Sequence, residues 1–166
     1  MFRKKTTTEE EEELVYEPQH FEPYVEKVHD FYNNLRKRFP SLPDIKFESG
    51  EALVSPYTVE FEVKRRFGEN LISMDTLKII RGENWIEFVP DGIAYVRAKG
   101  SLEVYSGKEI PILVYDKSLW LIKDGWKLRW AIKEVINDDW MPQFKILSDE
   151  LLDTILEQAG VVKRDT

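Results

Sequence analysis

From residue 57 to residue 136 the chain alternates apolar and polar side chains with a period of two, broken at intervals by glycine. Tyr57, Val59, Phe61, Val63 and Phe67 fall on one side of the first run, and Thr58, Glu60, Glu62, Lys64 and Arg66 on the other. That alternation predicts a half-buried strand. Gly68-Glu69-Asn70 turns it back into Leu71–Arg81, Gly82-Glu83 turns again into Trp85–Val89, and Pro90-Asp91-Gly92 leads into three further strands that end at Ile136. A short strand, Ile45–Glu48, is expected in the loop region between Pro40 and Pro56. Outside this stretch the period changes to that of a helix. Phe21, Tyr24, Val25, Val28, Phe31, Tyr32, Leu35 and Phe39 make one apolar stripe on a helix predicted to begin near Pro23 and end before Pro40. Glu22 and Glu26 near its start and Arg36-Lys37-Arg38 near its end complement the macrodipole. A second helix is capped by Ser148, carries Leu151, Leu152, Ile155, Leu156 and Ala159 on one side and stops at Gly160. Helix, antiparallel meander of about six strands, helix is an α+β arrangement.

Two glycine corners, Ser106-Gly107 and Asp124-Gly125, set the expected register of the last three strands. A two-residue turn at Asp124-Gly125 places Leu121 opposite Leu128, Leu119 opposite Trp130, Lys117 opposite Ile132 and Tyr115 opposite Glu134. A two-residue turn at Ser106-Gly107 places Ala98 opposite Tyr115, Val96 opposite Lys117 and Ala94 opposite Leu119; a three-residue loop would instead pair Val104 with Ile110 and Leu102 with Ile112. The preferred register puts Asp116 between Arg97 and Lys133 on the outer face, a favourable cross-strand charge arrangement. Its inner face carries small residues (Ala94, Val96, Ala98, Gly100) beside large ones (Leu119, Leu121, Leu128, Trp130, Ile132), which leaves room for a helix or a ligand. The outer face, with Ile110, Ile112, Val114, Trp120, Ile122 and Val135, is apolar as well and calls for a cover.

With 166 residues the chain suits one domain, able to bury about 70% of the surface its unfolded form exposes. Residues 1–19, with five glutamates from Glu9 to Glu13, are expected to form a disordered charged arm, residues 20–160 the domain and residues 161–166 a frayed tail. The net charge of −7 disfavours nucleic acid, and zero cysteines exclude disulfides, thiolate metal sites and cysteine catalysis. No apolar run is long enough to span a bilayer, and Met1–Lys5 leads into threonine and glutamate instead of a signal-peptide core, so the cytoplasm is the expected compartment.

The segment Gly92-Ile93-Ala94-Tyr95-Val96, the strands beyond it, and above all Leu119-Trp120-Leu121-Ile122-Lys123-Asp124-Gly125-Trp126-Lys127-Leu128 resemble the closing strands of the nuclear transport factor 2-like superfamily, the cystatin-like α+β roll. There a tryptophan followed by Asp-Gly-x-Trp is common near the end; here Trp126 follows Asp124-Gly125 directly, and one N-terminal helix stands where two or three are usual. The resemblance spans about residues 20–136. It implies a curved sheet around the helix, a cone-shaped pocket and dimerisation through sheet surfaces, in a superfamily of both isomerase- or dehydratase-type enzymes and non-catalytic binding modules.

The residues offer one candidate constellation on the inner face. Glu134 in an apolar pocket could accept a proton and Tyr115 beside it could donate to a developing oxyanion, so the two together could move a proton next to a carbonyl. The alternative is a plain hydrogen bond at the sheet rim with Lys117 extended to solvent. Lys117, Trp130, Val96, Ala98 and His29 are the expected ligand-lining residues. Asp116, Asp138 and Asp139 lack the spacing of a calcium loop, Lys64-Arg65-Arg66 alternates across a strand, and Gly107-Lys108 lacks a phosphate loop's upstream glycines. No metal or other cofactor is therefore expected. The leading expectation is a homodimeric binding protein for a small, mostly apolar molecule, with no nucleic-acid or membrane partner. An enzyme using Tyr115 and Glu134 and a protein-assembly factor are the alternatives.

Overall fold

The fold is described from a computed structural model over residues 18–39, 44–54, 71–92, 99–136 and 142–162. Helix α1 (Pro18–Arg38) is followed by strands β1 (Ile45–Glu48), β2 (Glu51–Val54), β3 (Ile72–Asp75), β4 (Leu77–Arg81), β5 (Asn84–Gly92), β6 (Gly100–Ser106), β7 (Ser118–Asp124), β8 (Lys127–Ile136) and β9 (Pro142–Ile146), then helix α2 (Asp149–Gln158). Among the described residues seven strands form one antiparallel sheet in the order β1-β4-β5-β6-β7-β8-β9, and β2 pairs with β3 apart from it. The run from β4 to β9 is thus a six-stranded meander between two helices, an α+β fold. The expected strand Tyr57–Phe67 lies outside the described residues.

Helix α1 starts earlier than its proline suggests. Pro18 takes the first position and Pro23 sits inside the helix, where its missing N–H costs one intrahelical bond. Burial of Phe21 and Tyr24, whose rings lie 6.0 Å apart, holds the extra turn against the sheet. Tyr24, Val28, Phe31, Tyr32 and Leu35 continue the buried stripe and meet Leu77, Ile79, Ile86, Phe88, Leu102, Leu119 and Leu121 from alternate positions of four strands. The two tyrosines also tie helix to sheet through backbone groups. The Tyr24 hydroxyl donates to the Ser101 carbonyl at 2.7 Å and accepts from the Gly92 N–H at 3.2 Å. The Tyr32 hydroxyl reaches the carbonyls of Asp75 (2.9 Å) and Phe88 (3.2 Å). At the other end Arg38 pairs with Asp149 at 2.8 Å and with Asp153, so the basic end of α1 clasps the acidic first turns of α2.

The stretch read as one strand, Leu71–Arg81, is two. Thr76 is buried at a corner where its N–H donates to the Gly50 carbonyl (3.0 Å) and its hydroxyl accepts from the Gly50 N–H (2.9 Å). That reciprocal pair stops β3 and sends β4 into the large sheet. Strand β9, along which Phe144 and Ile146 alternate, is an element additional to those expected between the last strand and the second helix. Val161, expected in a frayed tail, is buried; its N–H bonds the Leu156 carbonyl and its own carbonyl accepts from Arg81.

Both expected hairpin registers are corrected. At the second corner Asp124 pairs with Lys127, so the turn residues are Gly125 and Trp126, and Leu121 faces Trp130 instead of Leu128. Gly125, with φ of 62°, holds the first central position, as Gly82 (φ 60°) does between the paired Arg81 and Asn84. Glycine, with no Cβ, adopts that conformation without steric cost. At the first corner there is no tight hairpin. Residues 107–117 form an excursion, and β7 returns with Leu119 opposite Leu102 and Leu121 opposite Gly100. The excursion exists because Ile110 and Leu113 dock into the core, while the Ile112 N–H donates to Gln158 of α2 at 2.9 Å. The first register error is eight residues (Leu119 faces Leu102, not Ala94) and the second is two. Both are even, so Leu119, Leu121 and Ile132 still point into the core.

On the outer face the Asp116–Lys133 contact of the sequence reading is present, at 2.9 Å, although Asp116 now belongs to the excursion. Asp116 also accepts from the Trp120 indole N–H at 3.2 Å, and the Lys133 ammonium lies 4.2 Å from the Trp120 ring centre. Arg97 lies outside the described residues. Because one carboxylate serves two half-buried donors, Asp116→Ala should lower stability by about 1–2 kcal/mol, read as a lower urea midpoint with unchanged slope. No change in midpoint would mean the cluster is held by solvent alone.

Candidate functional site

The residues proposed for catalysis do not stand opposite one another in the sheet. Tyr115 sits on the excursion, 46% exposed, and Glu134 lies half-buried on β8 beside a bulge between Lys133 and Ile136. No hydrogen bond joins them, because the excursion takes Tyr115 off the strand that was to carry it past Glu134. Lys117 is exposed, and its carbonyl serves the ladder by accepting from the Val104 N–H at 2.8 Å. Val96 and Ala98 lie outside the described residues, as do Asp138, Asp139 and the basic triplet at 64–66. Among the described residues no group of three histidine or carboxylate side chains approaches the geometry of a metal site.

Trp130 and His29 do line cavities, though two different ones. The first is a cleft of about 470 Å³ between α1, the start of β8, and the junction of β9 with α2. Its construction follows from the sequence. Phe31 lies on the apolar stripe of α1 and stacks obliquely on Trp130 of β8, with ring centres 5.8 Å apart. Phe88 meets Phe31 edge-on at 5.2 Å from below and fixes that ring. The Trp130 indole N–H points to the Lys27 carbonyl at 3.4 Å, and the Trp130 carbonyl accepts from the Leu147 N–H at 2.8 Å. Both ends of the tryptophan are therefore held, and the ring is a fixed wall. Leu128, Leu147 and Leu152 complete the apolar surface.

The rim is polar. Lys27, Asp30 and Asn34 follow one another along α1 at helical spacing, and Arg129, Ser148 and Asp149 stand across from them. Ser148 is committed to capping α2, accepting from the Leu151 N–H at 3.1 Å, and Asp149 is paired with Arg38. Asp30 has no hydrogen bond or ion pair among the described residues. A rigid aromatic wall, an apolar floor and convergent polar groups of both signs are features that small-molecule sites share.

The second cavity, about 560 Å³, lies along the opposite flank of α1, where Phe21, Val25 and Ile72 meet Glu22, Glu26, His29 and Asp30. His29 contributes an imidazole to it, and among the described residues no hydrogen bond or ion pair engages that ring.

Of the expected ligand-lining residues Trp130 lines the first cleft and His29 the second. Phe31 is buried and Ser148 caps α2 as their patterns predict, and their convergence depends on β9 bringing the start of α2 back beside β8. Comparison with known proteins returned no match to a family model, to a curated protein or to a solved structure.

Proposed function

We propose that this chain is a cytoplasmic, non-catalytic binding protein whose cleft between α1 and β8 takes a small, mostly apolar molecule. The observation that carries the reading is the pinned Phe31–Trp130 wall in a cleft of about 470 Å³, within the size range of small-molecule sites. Affiliation with the nuclear transport factor 2-like roll belongs to the same proposal, supported by a helix laid across an antiparallel meander. In the described residues, no helix is long and apolar enough to cross a membrane, which agrees with a ligand met in water. The enzyme alternative has less support, because Tyr115 and Glu134 are not cross-strand partners.

The test uses an apolar fluorescent dye, anilinonaphthalene sulfonate, at low micromolar protein. Asn34 is exposed on the rim, so Asn34→Trp fills the cleft without touching the core. Dye affinity should fall at least tenfold in that variant while circular dichroism stays unchanged. Dye binding that is absent from the wild type, or indifferent to Asn34→Trp, removes the cleft as the site.

A further inference from the structure

The charged side chains that line the α1–β8 cleft are of both signs: Lys27 and Arg129, Asp30 and Asp149. Two of them are already engaged. Asp149 holds Arg38 at 2.8 Å, and Arg129 lies 3.6 Å from Asp124. That leaves one cation and one anion. Neither the Lys27 ammonium nor the Asp30 carboxylate has an ion pair or hydrogen bond among the described residues, with the other or with any third group. Three residues apart on α1, they are helical neighbours, with about 5–6 Å between Cβ atoms, a spacing at which opposite charges ordinarily meet. Here both stay open at the mouth of a cleft floored by Leu128, Leu147 and Leu152 and walled by the fixed Trp130 ring.

A guest lying on the Trp130 wall takes water away from both groups. An uncharged guest leaves both with fewer partners than before, and a guest of one sign leaves the opposite group so, and a charged group stripped of hydrogen bonds costs more than an ordinary contact returns. A guest that carries one carboxylate and one ammonium close together satisfies the two at once. The aromatic wall favours a flat ring on the same molecule, stacked or edge-on. The geometry points to a free aromatic α-amino acid as the ligand class of this cleft. Its ring lies against Trp130 and the leucine floor, its carboxylate meets the Lys27 ammonium, and its ammonium meets the Asp30 carboxylate. The Asn34 amide, one turn beyond Asp30, can donate to the carboxylate or accept from the ammonium. Helix α1 thus reads the charged head and β8 the ring. The inference rests on the cleft being the binding site proposed above, and it narrows a small, mostly apolar guest to one with a zwitterionic head.

Displacement of anilinonaphthalene sulfonate from the full chain tests this with probes that share an indole ring: tryptophan, indole-3-propionate with the carboxylate alone, tryptamine with the ammonium alone, and 3-ethylindole with neither. Inhibition constants are corrected for each variant's own dye affinity. Tryptophan should bind about tenfold more tightly than either one-charge relative. Lys27→Met keeps the stem and removes the cation, and there tryptophan should do no better than tryptamine. Asp30→Asn keeps the shape and removes the anion, and there tryptophan should do no better than indole-3-propionate. Damage to the fold would instead weaken all the probes alike, and that result in either variant overturns the inference. So does a wild type that holds tryptophan no better than its one-charge relatives; if the dye still binds in an Asn34-dependent way, the cleft reading stands and only the ligand class falls. Dye binding indifferent to Asn34→Trp removes both.

Discussion

Raising the pH from 10 to 12 should remove about 4–5 kcal/mol of stability, a large share of the roughly 5–15 kcal/mol that holds a domain folded. The cause is the pair of phenols that fasten α1 to the sheet. Burial drives the pKa of Tyr24 far above its usual 10, opposed by the hydrogen bond from Gly92, and burial does the same to Tyr32, reinforced by the nearby Tyr24, Asp75 and Glu87. In the unfolded chain both ionise near pH 10, whereas in the native state both stay protonated well beyond it. Above pH 10 the native state therefore holds more protons than the unfolded one, and stability falls as pH rises, by up to about 1.4 kcal/mol per unit for each tyrosine. Below pH 10 both contributions are fully present and the profile should be flat with respect to these groups. Urea titrations at stepped pH measure the slope. Tyr24→Phe should roughly halve it and lower stability at neutral pH by about 2–4 kcal/mol, since the Ser101 carbonyl and the Gly92 N–H both lose their buried partner. A slope that Tyr24→Phe leaves unchanged would place the alkaline transition on other groups.

Gly100→Ala should cost about 3 kcal/mol, an effect out of proportion to one methyl group. A Cβ at residue 100 would stand 2.1 Å from Cδ1 and 2.5 Å from Cε1 of Tyr24. An exposed or loosely held ring would swing aside. This one is held at its far end by the Ser101 carbonyl and the Gly92 N–H, so relief requires α1 to lift from β6. Combining Gly100→Ala with Tyr24→Ala should therefore be less destabilising than the sum of the two, because the smaller side chain removes the collision. Additive losses would show that residue 100 acts through strand propensity and not through the ring.

These two results concern the same junction, and the sequence indicated half of it. The 3.6-residue stripe on α1 named Tyr24, Tyr32 and Phe31 as buried, and the period of two named Leu102, Leu119 and Leu121, since burial of one face leaves a pattern in each element separately. Sidedness survived two mistaken registers for the same reason: an even slip along a strand returns every side chain to its own face. What alternation cannot count is the residues between two strands. Ser106-Gly107 has the composition of a tight turn, yet residues 107–117 leave the sheet because Ile110, Leu113 and the Ile112 N–H find partners on the core side and on α2, over forty positions later for Gln158. That excursion takes Tyr115 off the strand expected to pair with Glu134. The cleft likewise joins Phe31 of α1 to Trp130 of β8 and to the start of α2, segments that only the packing of β9 on β8 brings within reach. Local periodicity thus determined both helices, most of the strands, the buried side of Leu119 and Leu121, and the α+β class. Which residues share a site was decided by long-range packing, because a contact between distant positions depends on the path of the chain between them, and a hydrophobic pattern carries no record of that path.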